Sequence, residues 1–198
     1  GAGRLFGGRH EEAISLLRRG HTLAVAADVG TTAVEALAVL SMAFSARGER
    51  SEAWEAAATA ERIWQAQDLH DSASTTALLR SATAPLRALR GDSEATRRDL
   101  EQLDATQAAG EASSLPWLSV IAHVATAEAL LALADRPTAS LALGRARALM
   151  ATVPASPFLA LLVDRADRAL VVAGHLAGLS PAEQAVWSYI GTRPTVKE

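Results

Sequence analysis

The sequence predicts an all-α fold, an α-solenoid built from antiparallel helix pairs. The first observation is a pattern of small and apolar residues at the spacing of one helix face, which begins at Ala13, Ala53 and Ala139. The second is a degenerate copy at Ala95, so that successive copies are separated by 40, 42 and 44 residues. This period is typical of a helix-turn-helix repeat.

The three clear copies match position by position. The copy that begins at Ala53 consists of Ala53, Ala56, Ala57, Ala60, Ile63 and Trp64. The corresponding residues of the first copy are Ala13, Leu16, Leu17, Gly20, Leu23 and Ala24. Those of the last copy are Ala139, Ala142, Leu143, Ala146, Leu149 and Met150. After Ala95 the same offsets reach Arg98, Asp99 and Gln102, so we expect that apolar face to be shifted toward Thr96, Leu100 and Leu103.

Local signals mark where the helices begin and end. Helices are expected over about 9–28 and 30–47, the second of which is closed by a left-handed Gly48. A third unit covers 71–110, and Pro85 inside its first helix should kink or break it.

The later helices carry proline start signals. Pro116 suits the first turn of one helix, and Ser156 followed by Pro157 predicts an N-cap and first helical residue for another, which should end near Gly174.

Composition excludes several kinds of function. The 198 residues carry 19 basic and 22 acidic side chains, a net charge of −3, so no basic field is available to bind nucleic acid by charge alone. The absence of cysteine excludes disulfides and thiolate metal sites and is compatible with a reducing cytoplasm. The longest apolar stretch, 115–134, is interrupted by His123 and Glu128, so no membrane span or membrane partner is expected.

The residues around the second helix pair resemble a tetratricopeptide repeat. Leu40, Ser41, Phe44, Ala53 and Ala60 lie where that family has a leucine, a small residue, an aromatic residue and two further small residues. The closing proline of the family is missing, and the period exceeds its usual length of about 34 residues. The resemblance implies tetratricopeptide-like pairs with longer helices.

The end of the chain resembles a second family. Ser180, Pro181 and Glu183 form a capping box, a short helix ends in Tyr-Ile, and after a turn a second capping box ends in Lys197 and Glu198. This pattern is similar to the opening of the LuxR-type helix-turn-helix domain. A chain that opens on Gly1 and stops at Glu198 is expected to be a piece of a longer protein.

The two resemblances together imply a bacterial LuxR-family regulator, similar to the MalT-like ones. Residues 1–176 would be the helical repeat domain, and residues 177–198 a linker and the start of the DNA-binding domain. DNA would be bound only through the part that follows, while a protein partner or a small effector would bind the cytoplasmic array. The alternative is a stand-alone tetratricopeptide-like scaffold for protein interactions.

One set of residues is a candidate for a ligand or partner groove. Glu35, Arg80 and His123 are each a single ionisable residue in a long uncharged stretch of a first helix. Such helices line the concave face of a solenoid, and the alternative is that each side chain points to solvent. Five scattered histidines show no metal-site spacing, and no catalytic constellation or cofactor motif is present, so we expect no enzyme and no cofactor.

Overall fold

The computed structural model describes residues 1–108 and 115–177. These residues form nine α-helices and a 3-10 turn at 69–71, with no strand among them. The helices, numbered in chain order, are α1 Ala2–Phe6, α2 His10–Ala26, α3 Gly30–Ala46, α4 Arg50–Ala66, α5 Ala73–Leu89, α6 Ser93–Ala108, α7 Pro116–Ala132, α8 Arg136–Met150 and α9 Pro157–Ala177. The predicted all-α fold is confirmed for this part of the chain.

The helix boundaries follow local signals in the sequence. Gly48 ends α3 with φ of 80°, and the N–H of Glu49 donates back to the carbonyl of Phe44 over 3.0 Å. Glycine adopts this left-handed conformation without the steric cost of a Cβ. At the start of α9, the hydroxyl of Ser156 accepts from the N–H of Leu159 over 3.3 Å, and Pro157 is the first helical residue, as predicted.

We expected Pro85 to kink or break helix α5. The helix is not broken there, which corrects the second of these two expectations. The helix runs without interruption from Ala73 to Leu89. Proline removes the N–H that would bond to the carbonyl of Ser81. The helix is held from outside, because α5 packs against α3, α6 and α7 and most of its residues are buried. Tertiary packing therefore outweighs the local cost of proline.

The helices pack in a regular order. Extensive contacts join consecutive helices, α2 with α3, α3 with α4, α5 with α6 and α7 with α8. A second series of contacts joins α3 to α5, α5 to α7 and α7 to α9. Helices α3, α5, α7 and α9 thus form one continuous layer, on which the remaining helices pack.

The first and last helices of the described chain also contact each other. The rings of Phe6 and Phe158 lie 6.0 Å apart, and the hydroxyl of Ser156 donates to the carbonyl of Phe6 over 3.1 Å. The ring of Trp117, at the start of α7, lies 5.3 Å from that of Phe6. In a simple solenoid each repeat contacts only its neighbours, so the predicted solenoid does not account for this contact.

The predicted repeat positions of α4 and α8 lie in the core. Ala53, Ala60, Ala139 and Ala146 are all 0% exposed. The hydroxyl of Ser41 donates to the carbonyl of Ala53 over 2.8 Å, so α3 approaches the backbone of α4 closely. Small residues allow that approach because they leave no side chain between the two helices.

Two repeat positions on α2 are exposed, contrary to the pattern. Leu16 is 38% exposed and Leu23 60%, whereas Ile14, outside the pattern, is 5% exposed. Helix α2 packs on α3 and, at its start, on the short α1, and these neighbours cover only part of its apolar surface.

On α6 the expected shift is found in part. Thr96 and Leu103 are fully buried and Leu100 is half-buried, as the shifted face predicts. Asp99 is also buried, at 2% exposure, although the shift was expected to turn it away from the core. Asp99 is therefore buried at the repeat position that Leu17, Ala57 and Leu143 occupy in the other copies, with a charged side chain in place of an apolar one.

Candidate functional site

A groove of about 690 Å³ crosses the layer formed by α3, α5, α7 and α9. Most of its lining is apolar, and each helix contributes, with Met42 from α3, Leu86 from α5, Ile121 from α7 and Leu162 from α9. Sites for small molecules are concave, mainly apolar and roughly 300–1,000 Å³ in volume. The groove therefore has the size and the character of a ligand site.

Two polar features interrupt this apolar lining. Ser81 of α5 lines the groove at 3% exposure, and its hydroxyl has no hydrogen-bond partner among the described residues. On the opposite side, the guanidinium of Arg165 donates two hydrogen bonds to the carboxylate of Glu128, over 2.7 and 2.8 Å. This bidentate pair joins α7 to α9 and leaves the Glu128 charge compensated.

Two further arginines stand at the α3 end of the groove. Arg47 is paired with Glu11 and with Glu49, the latter over 2.7 Å. The hydrogen bond that Arg47 donates to the carboxylate of Glu11 raises the pKa of Arg47. Arg50, at the start of α4, is exposed and has no carboxylate partner within the part of the chain that the structure describes. Arg50 is thus the cation of this lining whose charge is not already paired.

Arg80, a predicted groove residue, is buried in an ionic cluster. Its guanidinium donates to Glu61 over 2.7 Å and to Gln102 over 2.5 Å, and it lies 3.4 Å from the carboxylate of Asp99. It is also stacked over the ring of Trp64 at 4.4 Å. An anionic effector would have to displace these partners to reach it.

The ionic cluster consists of Glu61, Arg80, Arg87 and Asp99, and it joins α4, α5 and α6. Arg87 bonds both carboxylates, that of Asp99 over 2.6 Å. Burial alone would raise the pKa of Glu61, but the hydrogen bonds from Arg80 and Arg87 outweigh it and lower the pKa. Burial raises the pKa of Asp99 and exceeds the opposing effects of Thr83 and the arginines.

The other two predicted groove residues have separate contacts. Glu35 is half-buried and accepts a hydrogen bond from the hydroxyl of Thr75 over 2.9 Å. His123 is half-buried, and its Nδ1 lies 3.3 Å from the amide nitrogen of Gln107. Burial lowers the pKa of His123, and nearby Arg145 acts in the same direction.

The structure does not bring the three predicted residues into one site. Glu35, Arg80 and His123 are not hydrogen bonded to one another in the described ranges, and none of them lines the groove. Their role in binding stays a prediction. The predicted residues of the DNA-binding domain, Ser180, Pro181, Glu183, Lys197 and Glu198, lie outside the described residues.

Sequence reasoning did not identify the residues that do line the groove. Glu128 could have been found, because it interrupts the apolar stretch 115–134. An isolated charge in such a stretch indicates a partner, but its identity as Arg165, 37 residues away, depends on the packing of α7 on α9. Nothing in the sequence identifies Ser81 or Arg50 as lining residues, because they resemble the many other serines and arginines of the chain.

Residues 1–108 and 115–177 contain no cluster of three or more histidine, aspartate or glutamate side chains able to hold a metal ion. Within the same ranges, none of the helices combines the length and the apolar character needed to cross a membrane.

Comparison of this chain with protein-family models, with curated proteins and with solved structures found no match.

Proposed function

We propose that this chain is the sensory and protein-interaction region of a bacterial LuxR-family transcription regulator, and that it acts in the cytoplasm. The observation that carries the proposal is the double capping-box pattern in residues 179–198, directly after a long run of helices. In that arrangement the helical array receives a signal, and DNA binding belongs to residues that follow.

The proposal includes a tetratricopeptide-like arrangement of antiparallel helix pairs. Arg47, just after α3, is bonded to Glu11 at the start of α2. The amide of Gln67, just after α4, lies 3.5 Å from the carboxylate of Asp28, just before α3. In each case the end of one helix lies beside the start of its neighbour, which supports an antiparallel path. The layer of α3, α5, α7 and α9 then corresponds to the concave face of the array.

The charge of the chain supports this division of roles. The net charge is −3, and after Arg168 only Arg193 and Lys197 are basic. Affinity for duplex DNA depends on several phosphate contacts from lysine or arginine. In a helix-turn-helix domain, base contacts come from a second helix laid in the major groove. In this proposal, residues 1–176 supply neither the positive charge needed for phosphate contacts nor the recognition helix needed for base contacts.

The test compares residues 1–198 with a longer protein that continues through the natural sequence downstream of Glu198. Fluorescence anisotropy with a labelled DNA duplex would be measured over a series of salt concentrations. We expect the longer protein to bind with an affinity that falls steeply as salt rises, and residues 1–198 to show no binding.

Two results would contradict the proposal. If the longer protein fails to bind DNA while remaining folded, the stand-alone scaffold becomes the better assignment. If residues 1–198 alone bind DNA at physiological salt, the roles assigned along the chain are wrong.

A further inference from the structure

We propose that the groove across α3, α5, α7 and α9 binds a mainly apolar molecule with a carboxylate at one end. This inference deepens the proposed function, because a ligand at this position would be the effector of the array. It begins from the volume of about 690 Å³ and from an apolar lining contributed by four separate helices.

The polar groups of the lining are unevenly distributed. The α3 end carries Ser45, Arg47 and Arg50, and the neighbouring α5 contributes Ser81. On the α9 side, the charged lining residues Arg165 and Glu128 are paired with each other, and Leu162, Ala169 and Val172 are apolar. A ligand that matches this distribution has a charged group at one end and no net charge at the other.

The sign of the polar end follows from the ion pairs. Arg165 is neutralised by Glu128, and Arg47 by Glu11 and Glu49. Arg50 remains without a carboxylate within the described residues, so the uncompensated charge of the lining is positive. An anionic group is complementary to it, and the fork of guanidinium donors suits a carboxylate.

Ser81 is a further polar residue in the wall of the groove. Buried hydroxyl groups are nearly always hydrogen bonded, whereas that of Ser81 has no partner among the described residues. Pro85, which also lines the groove, removes the N–H that would bond to the carbonyl of Ser81. The Ser81 hydroxyl itself is closed to solvent, so the recognition of an anionic ligand rests on Arg50.

The test measures the binding of decanoate to residues 1–198 without DNA, by displacement of the fluorescent probe anilinonaphthalene sulfonate. Decyltrimethylammonium, with a chain of the same length and the opposite charge, is the control ligand. Arg50→Ala removes the unpaired charge, and Ala169→Trp fills the groove from an exposed lining position. Their matched controls are Arg19→Ala and Ala148→Trp, at exposed positions outside the groove.

We expect saturable decanoate binding at one site per chain and weaker binding of the cationic ligand. Arg50→Ala should weaken decanoate binding by up to about fivefold, the upper end of the range for an exposed ion pair. Ala169→Trp should weaken it at least about tenfold, because it occupies the volume of the apolar chain. The two control variants should bind as the unchanged protein does, and circular dichroism should show that all four variants keep their helix content.

Three results would overturn the inference. The first is the absence of saturable decanoate binding, and the second is binding that Ala169→Trp leaves unchanged. The third is dimerisation that Ala169→Trp abolishes, with no decanoate bound, since a second copy would then be the occupant. None of these results bears on DNA binding by the longer protein, so failure of the ligand assignment is distinguishable from failure of the proposed function.

Discussion

Replacement of Arg80 by methionine tests whether the buried ionic cluster holds α4, α5 and α6 together. The side chain of Arg80 is 4% exposed and that of Asp99 3%, so their charges are almost fully removed from water. Methionine keeps an unbranched, apolar side chain in place of the aliphatic part of arginine but removes the charge and the donors. Glu61 and Asp99 would then share one remaining cation, Arg87.

We expect Arg80→Met to lower the free energy of unfolding substantially, because a buried charge is left uncompensated. Removing one partner of a buried ion pair costs about 3–5 kcal/mol. We expect a value at the lower end, about 3 kcal/mol, since Arg87 still bonds both carboxylates. The stacking of Arg80 on Trp64 is lost as well.

Arg90→Met is the matched control for this substitution. Arg90 is stacked over Trp54 at 4.3 Å, much as Arg80 is over Trp64, but it is exposed. Cation-π contacts at exposed sites contribute about 0.5–1 kcal/mol, so Arg90→Met should cost no more than that. Both variants would be unfolded in urea, followed by far-UV circular dichroism, and compared by linear extrapolation. Equal free energies of unfolding for the two variants would refute the argument from burial.

The acid dependence of stability gives a second measurement on the same cluster. The folded-state pKa of Glu61 lies below its usual value of 4.5. Its contribution to the free energy of unfolding is therefore present above that pH and is lost as pH falls through the folded-state pKa. Burial raises the pKa of Asp99 above 3.8, so that carboxyl acts in the opposite direction. Glu61→Gln should make the loss of stability below pH 4.5 less steep, and an unchanged slope would contradict the assignment.

Three further predictions concern packing and pH. Ala60→Leu, at a fully buried repeat position, should lower the free energy of unfolding by about 1–3 kcal/mol in urea titrations, whereas Ala105→Leu on the exposed side of α6 should not. Phe158→Ala, at the contact of the first and last helices, should lower the free energy of unfolding by about 3–5 kcal/mol. The control Leu141→Ala, at an exposed position, should lower it by less than about 0.5 kcal/mol. Equal losses for the two variants would show that this contact does not stabilise the fold. Because the folded-state pKa of His123 is lowered, the free energy of unfolding should decrease as pH falls below its usual value of 6.5, and His123→Gln should remove that decrease in urea titrations over this pH range.

Local and periodic features of the fold were predictable from the sequence. The burial of Ala53 and Ala60 follows from the 3.6-residue period, which any helix imposes on its own side chains. The left-handed Gly48 and the N-cap at Ser156 depend on backbone groups within a few residues. Such features need no knowledge of distant segments, and the sequence was sufficient for them.

Features that depend on distant segments were decided only by the tertiary structure. Arg80 stands alone in an uncharged stretch, from which we expected a groove residue or a solvent contact but not a buried ion pair. The packing of α5 between α4 and α6 selected the buried pair, because it brings Glu61 and Asp99 to the guanidinium. The uninterrupted helix at Pro85 has the same origin, since the contacts of α5 with its neighbours outweigh a local preference.

The groove and the contact between the first and last helices are the clearest examples of features that the sequence alone did not predict. Phe6 and Phe158 are separated by most of the described chain, and nothing in the predicted repeat period indicates that they meet. The sequence by itself determined helices, their boundaries and most of their buried faces. The arrangement that brings α3, α5, α7 and α9 around one groove depends on contacts between helices that are distant in sequence, so only the tertiary structure could decide it.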